Sequence, residues 1–143
     1  MTDRPEKNGG KKSPRDKKRK VLISDPEPFI RDTLTIKLAS RGYNILAAES
    51  GRDTVRMAVR HEPSLILMEI SFKDIEGFRI CQLLKGHQRT GDMPIVVLTK
   101  LEDTPERTFL FNPYVEDFIT KPFSPGGVAR IVDRVIREKS AKR

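Results

Sequence analysis

The chain has 143 residues, enough for one domain with a hydrophobic core but too few for two. Hydrophobic residues make up 36% and charged residues 34%, there is no Trp, and no apolar run reaches the ~18 residues that span a bilayer. The charged N-terminus lacks the apolar stretch of a secretory signal, so we expect a cytoplasmic protein. The single Cys81 excludes an internal disulfide, and two histidines are too few to favour a zinc site.

Positive charge is concentrated at the N-terminus. Residues 1–20 contribute +6 of the net charge of +8, from nine Lys or Arg and three Asp or Glu. We expect residues 1–18 to form a disordered basic tail, because so few apolar side chains cannot offset the entropy of ordering. Its charge would attract nucleic acid, an anionic membrane surface or an acidic protein, and a tail that only adds solubility is an equally good interpretation. Residues 139–143 are predicted to be a short basic C-terminal tail.

From residue 20 onwards, short aliphatic runs alternate with amphipathic stretches. Five runs are predicted to be strands, at residues 21–24, 44–48, 65–69, 94–99 and 117–120. The runs that begin at Val21, Leu65 and Ile95 are apolar without alternation, which is typical of central parallel strands covered on both faces.

Helix signals separate these strands. The stretch 28–40 stops before Gly42 and the stretch 77–85 stops at Gly86, and both glycines suit a left-handed C-terminal cap. A capping box of the form S-x-x-D begins at Ser50 and opens another helix.

Two further helices complete the pattern. The segment Thr104-Pro105-Glu106 suits a fourth helix start, with Pro in the first turn. The terminal helix has one apolar face, made by Val128, Ile131, Val132, Val135 and Ile136. The resulting (βα)5 order predicts an α/β domain over residues 19–138, with a doubly wound five-stranded parallel sheet.

Polar side chains stand at the ends of four predicted strands. Asp25, Glu69, Thr99 and Lys121 end strands one, three, four and five. Ligands of such sheets bind at the carboxyl ends of the strands. Carboxylates can hold Mg²⁺, while a hydroxyl and an ammonium can stabilise the oxygens of a phosphoryl group or another anion. One such residue alone is more often a turn former or a helix cap, but four strand ends together favour a site.

These motifs resemble the response regulator receiver family over nearly all of residues 19–138. Four segments carry the resemblance: a first-strand motif with an acidic end, the segment that ends at the phosphoacceptor followed by Gly77, a fourth strand with its hydroxyl, and a Lys-Pro signature after the last strand. They are residues 21–28, 63–69, 94–99 and 115–123.

The resemblance implies a flavodoxin-like fold with strand order 2-1-3-4-5 and no enzymatic turnover. It also implies that Thr99 and Lys121 stabilise a phosphoryl group, that Phe118 is the aromatic switch residue, and that Pro122 follows a cis peptide bond. Any Mg²⁺ would be held by Asp25, Glu69 and the Ser71 carbonyl.

Two departures from the family pattern weaken phosphotransfer. Pro26 stands in place of the second acid and has no ligand atom in its side chain. Glu69 stands in place of the phosphoacceptor aspartate and is one methylene longer. Either Glu69 partly mimics the phosphorylated state, or it makes a structural ion pair with Lys121 in a pocket that has lost its switch.

The sequence therefore predicts an atypical receiver of a two-component phosphorelay that acts by protein–protein interaction. Its partner would be a histidine kinase, a phosphotransfer protein or an output protein. A homodimer through the fourth and fifth predicted helices follows from family precedent only. The alternatives are a receiver that still responds to phosphorylation or Mg²⁺, and a nucleic-acid-associated regulator that uses the basic tail. The chain contains no glycine-rich nucleotide motif and no nucleophile elbow.

Overall fold

A computed structural model of the protein describes residues 19–100 and 109–142. Its elements, in chain order, are β1 (Lys20–Ser24), α1 (Pro28–Ser40), β2 (Asn44–Ala48), α2 (Gly51–His61), β3 (Leu65–Glu69), α3 (Gly77–Gly86), β4 (Ile95–Lys100), β5 (Asp117–Lys121) and α4 (Pro125–Ala141). The predicted tail at residues 1–18 and the helix start predicted at Thr104 lie outside the described residues.

All five strands form one parallel sheet in the order β2-β1-β3-β4-β5. The predicted α/β fold and strand order are confirmed. The first described strand, β1, lies next to the edge strand β2, and the chain then crosses over to add β3, β4 and β5 on the other side of β1. The change of direction lies between β1 and β3, and their carboxyl ends are where a ligand site of such a sheet is expected.

The apolar strands are buried on both faces, because successive side chains point to opposite sides of a strand. On one face, Val21, Leu65 and Val96 pack with residues of α1 and α4. On the other face, Leu22 and Ile66 pack with residues of α2 and α3. The absence of alternation in the sequence thus reflects two hydrophobic cores, one on each side of the sheet.

The helix ends agree only partly with the sequence signals. Gly42 has a φ of 96°, as a left-handed position after α1 requires. The cap predicted at Gly86 is wrong, because α3 includes Gly86 and the following His87 is extended, with its N–H bonded to the Leu84 carbonyl. Helix α4 continues to Ala141, past the domain boundary predicted at residue 138.

Two other features of the helices bear on the expectations above. The Ser50 side chain accepts a hydrogen bond from the backbone N–H of Asp53, at 3.1 Å. The Asp53 carboxylate pairs with Arg56 and not with the backbone N–H of Ser50, so only one of the two hydrogen bonds of the capping box forms. Within the described residues, no helix combines the length and the apolar character needed to cross a membrane.

Gly77 gives a test of how closely α3 packs against the end of β3. A Cβ at this position would lie 2.7 Å from the Cα of Ile70 and 2.8 Å from its carbonyl oxygen. We expect Gly77→Ala to lower the free energy of unfolding by about 1–3 kcal/mol, because the backbone of Ile70 must move to admit the methyl group. Urea denaturation measures this change.

Gly86→Ala is the matched control, because a Cβ there would meet no atom within 4 Å. Alanine is the better helix former, so this variant should gain roughly 0.5–1 kcal/mol. If both substitutions change stability equally, the close approach at Ile70 does not require glycine.

Candidate functional site

The carboxyl ends of the strands bring three of the predicted site residues together. Asp25 directly follows β1, Glu69 ends β3, and Lys121 ends β5. The Lys121 Nζ lies 2.8 Å from Asp25 Oδ2 and 2.6 Å from Glu69 Oε1. It also lies 3.5 Å from Glu27 Oε2, at the solvent-exposed rim. One ammonium group therefore faces three carboxylates.

Glu69 is buried and both of its carboxylate oxygens have partners. Only 1% of the surface of Glu69 is exposed to solvent. While Oε1 accepts from Lys121, Oε2 accepts from the backbone N–H groups of Ile70 and Ser71, at 2.8 and 3.1 Å. The side chain is long enough to fold back over the start of the loop that follows β3. The bonds to charged and backbone donors offset the cost of removing the carboxylate from water.

Asp25 is fully buried beside it. Its Oδ1 accepts from the backbone N–H of Glu27 at 2.9 Å, and its carbonyl accepts from Arg31 at 2.8 Å. Burial raises the pKa of Asp25 above its usual value of 3.8, and the hydrogen bonds from Lys121 and Glu27 only partly oppose this.

Burial and the paired groups also act in opposite directions on the pKa of Lys121, but here the paired groups have the larger effect. Burial favours the neutral amine, but the hydrogen bonds and charges of Asp25 and Glu69 outweigh it and raise the pKa above 10.5. Because the folded state has the higher pKa, the stabilisation by the ammonium is complete below 10.5 and is lost as the pH rises through the folded-state pKa.

Of the other predicted residues, only Ser71 has a hydrogen bond to this ion pair among the described residues. The Thr99 hydroxyl donates to the Lys100 carbonyl at 3.1 Å. Phe118 is half-buried and packs on the α2 and α3 side of the sheet. The peptide bond from Lys121 to Pro122 is cis. Ser71 contributes its backbone N–H to Glu69.

The residues present do not fit the Mg²⁺ that the family resemblance implies. The ammonium of Lys121 lies between the carboxylates of Asp25 and Glu69, and Pro26 offers no side-chain oxygen. Among residues 19–100 and 109–142, no three His, Cys, Asp or Glu side chains are grouped as a metal ion requires. The internal cation of the site is a lysine.

Asp74 is a structural residue near the site that the sequence analysis missed. Its carboxylate accepts from the backbone N–H groups of Gly51 and Arg52, both at 2.9 Å, and so caps the start of α2. These hydrogen bonds lower the pKa of Asp74. The loop after Glu69 is thereby tied to a helix on the same edge of the sheet. The sequence shows an acid five residues after Glu69, but the backbone groups that it binds lie more than twenty residues earlier, so no local pattern indicates the contact.

Removing the ammonium tests how much the buried carboxylates depend on it. We expect Lys121→Met to lower the free energy of unfolding at neutral pH by about 3–5 kcal/mol, because Asp25 and Glu69 are left buried without a counter-charge. The loss should shrink as the pH falls. The pKa of Asp25 is already raised, so protonation of the folded state relieves the cost of burying its charge. Urea denaturation between about pH 4 and about pH 8 measures both effects.

Lys73→Met serves as the control, because Lys73 is exposed in the loop after β3. This variant should change stability little at any pH in that range. A loss of the same size at every pH in Lys121→Met would mean that the side-chain stem, and not its charge, stabilises the site.

Comparisons with known proteins identify the family. A family model described as the response regulator receiver domain matches residues 21–133. The DNA-binding dual master transcriptional regulator RpaA of Synechocystis sp. is 34% identical over 104 residues, covering 73% of this chain and 43% of that protein. The probable transcriptional regulator ycf27 of Porphyridium aerugineum is 31% identical over 120 residues, covering 84% and 49%. The chain spans less than half the length of either relative.

Solved structures agree in fold. A CheY-like response regulator receiver domain protein from Methanospirillum hungatei has a TM-score of 0.80 at 20% identity and covers 88% of this chain and 99% of its own. The chemotaxis response regulator CheY4 of Vibrio cholerae has a TM-score of 0.76 at 24% identity, covering 82% and 98%. At such identities the likeness concerns the fold alone. The family match over residues 21–133 and the relatives above 30% identity show that the chain belongs to the response regulator receiver domain family of two-component signalling.

Proposed function

We propose that this protein is an atypical receiver in which Glu69 stands at the phosphoacceptor position and whose output is a fixed surface for a protein partner. The observation that carries the proposal is the buried ion pair of Glu69 with Lys121, at 2.6 Å. In a phosphorylated receiver, the lysine would bind the phosphoryl group. Here its ammonium group binds the carboxylate of Glu69.

The hydrogen bonds of Glu69 argue against an ordinary phosphoacceptor. A nucleophilic carboxylate needs an accessible oxygen in line with the donor. One oxygen of Glu69 is bonded to Lys121, the other is bonded to two backbone N–H groups, and the residue is buried. Attack on a phosphodonor would require these bonds to break. Pro26 also deprives the site of a carboxylate that could help a metal ion to neutralise the donor.

The position of Thr99 favours a structural ion pair over a mimic of the phosphorylated state. A mimic should engage the hydroxyl as well as the ammonium, whereas Thr99 donates to the Lys100 carbonyl. A carboxylate also has one negative charge and two oxygens, against about −1.5 to −2 and three acceptor oxygens for a phosphoryl group. The pair can therefore hold the pocket closed without reproducing all the contacts of phosphorylation.

The proposed contact for the partner is the surface of the segment that precedes β5 along the chain, at Phe109 and Leu110. Phe109 and Leu110 are 70% and 57% exposed. The buried ring of Phe111 anchors the segment against Phe78, with ring centres 5.6 Å apart. Exposed apolar side chains on a firmly packed base are typical of protein interfaces. A kinase, a phosphotransfer protein or an output protein of a two-component pathway fits such a surface.

Backbone amide NMR during titration with Mg²⁺ and then beryllofluoride tests this function. We expect no saturable shifts in the natural protein near Asp25, Glu69, Thr99 and Lys121, because the lysine occupies the place of the cation and Glu69 has no free oxygen. The matched variant is Pro26→Asp with Glu69→Asp, which restores the family's acids. This variant should show saturable shifts.

Saturable shifts in the natural protein that spread from Lys121 to Phe118 would contradict the proposal. They would identify a receiver that remains responsive to phosphorylation. A natural protein and a double variant that are both silent would indicate that the pocket has lost its switch for reasons beyond these two positions.

A further inference from the structure

The edge of the sheet opposite the candidate site is rich in cations. In a parallel sheet with helical crossovers, the amino ends of the strands and the carboxyl ends of the helices meet at this edge. Each described helix has a basic residue in its last turn, and β1 is entered through two more basic residues. We define the basic edge by the cations near its centre: Arg19, Lys20, Arg60, Lys85, Arg89 and Lys139.

Contacts between elements place these residues side by side. The Arg19 guanidinium donates to the Ser140 hydroxyl at the end of α4, at 2.5 Å. The Lys20 ammonium donates to the His61 carbonyl at the end of α2, at 3.3 Å. Burial lowers the pKa of Lys85, and the positive charge of Lys139 lowers it further. The ends of α2, α3 and α4 and the start of β1 therefore bring their basic residues to one edge.

A cavity of about 790 Å³ opens on this edge and is lined by Arg19, Arg89 and Lys139. Its carboxylates are Glu62 and Asp92, and Glu62 is already paired with Arg89 at 2.6 Å. The partner of Arg19 is a neutral hydroxyl, and that of Lys20 is a carbonyl. Among the described residues, neither of these two cations is paired with a carboxylate.

The acids of the candidate site lie at the edge of the sheet away from these cations. Asp25, Glu27, Glu69 and Asp74 lie at the carboxyl edge, while the basic edge faces the other way. Residues 1–18, which precede Arg19, carry a further +4 from seven Lys or Arg and three Asp or Glu. The charges of the basic edge would attract a polyanion to that end of the molecule.

The chemistry of this edge favours nucleic acid among the polyanions. Protein interfaces rely on apolar and aromatic anchors, and proteins that bind membrane surfaces insert apolar side chains. The apolar residues that line the cavity, Pro63, Met93 and Pro94, are buried. Beside Asp92 and the paired Glu62, the accessible lining offers cations, hydroxyls and the Gln88 amide, which are groups that bind phosphate and sugar.

We infer that the basic edge binds the phosphate backbone of nucleic acid without reading its sequence. Cations in the last turn of a helix also stabilise the helix dipole, which alone would account for one basic residue per helix. That explanation does not account for Arg19 and Lys20, which belong to the entry of a strand. The inference concerns the end of the domain away from Glu69 and is independent of the proposed function.

To test the inference, a labelled DNA duplex of about 20 base pairs is titrated with the full chain at several salt concentrations, and binding is measured by fluorescence anisotropy. The test variant is Lys20→Gln with Lys139→Gln. The control is Arg52→Gln with Lys73→Gln, which removes two cations from exposed positions at the carboxyl edge. Both variants keep the tail and have the same net charge.

We expect the natural protein to bind with an affinity that falls linearly with salt on a logarithmic plot. The test variant should reduce the slope by about 2, one for each lost phosphate contact, and the control should keep the natural slope. Circular dichroism checks that the variants are folded, and Arg60→Gln with Lys139→Gln replaces the test variant if it is not.

Three results would overturn the inference. Equal slopes in the two variants would assign binding to the tail or to net charge alone. Absence of DNA binding at low salt would exclude nucleic acid. Binding to phosphatidylserine vesicles without binding to DNA, with the same dependence on Lys20 and Lys139, would assign the basic edge to a membrane surface.

Discussion

The need to neutralise two buried carboxylates controls the arrangement of the site. Asp25 and Glu69 end neighbouring strands in the middle of the sheet, and both are almost completely removed from water. A charge in that position must be paired or must become neutral. Lys121 supplies the pairing from β5, two strands from β3, and so links the centre of the sheet to its edge. The loops that leave β1, β3 and β5 are held in relation to one another by that single ammonium group.

The length of the Glu69 side chain lets one carboxylate accept hydrogen bonds from two sets of donors. One oxygen reaches Lys121 while the other turns back to the N–H groups of Ile70 and Ser71. The backbone after β3 is thereby fixed by the side chain that precedes it. Asp74, in the same loop, then caps α2. The loop after β3 is thus held at its start by Glu69 and at Asp74 by the cap of α2.

Much of the fold could be predicted from the sequence, and the details of the site could not. Unalternated apolar strands separated by amphipathic stretches are enough to imply a parallel sheet with two cores, and polar strand ends are enough to bring Asp25 and Lys121 together. Pairings of a side chain with a distant backbone group leave no local pattern, which is why the cap by Asp74 was missed. The wrong cap at Gly86 has a similar cause: glycine permits a left-handed turn but does not impose one, and the helix there continues through it.

The topology that assembles the site also produces the charge on the opposite edge. Parallel strands linked by helices collect strand carboxyl ends on one side and helix carboxyl ends on the other. Asp25 and Glu69 therefore lie at one edge of the sheet, and Arg19 and Lys139 lie at the other. Because the strands between the two edges are packed on both faces by apolar side chains, a ligand held at one edge need not disturb the ion pair at the other. A fixed pocket at Lys121 and a cationic surface at Arg19 can thus coexist in one small domain.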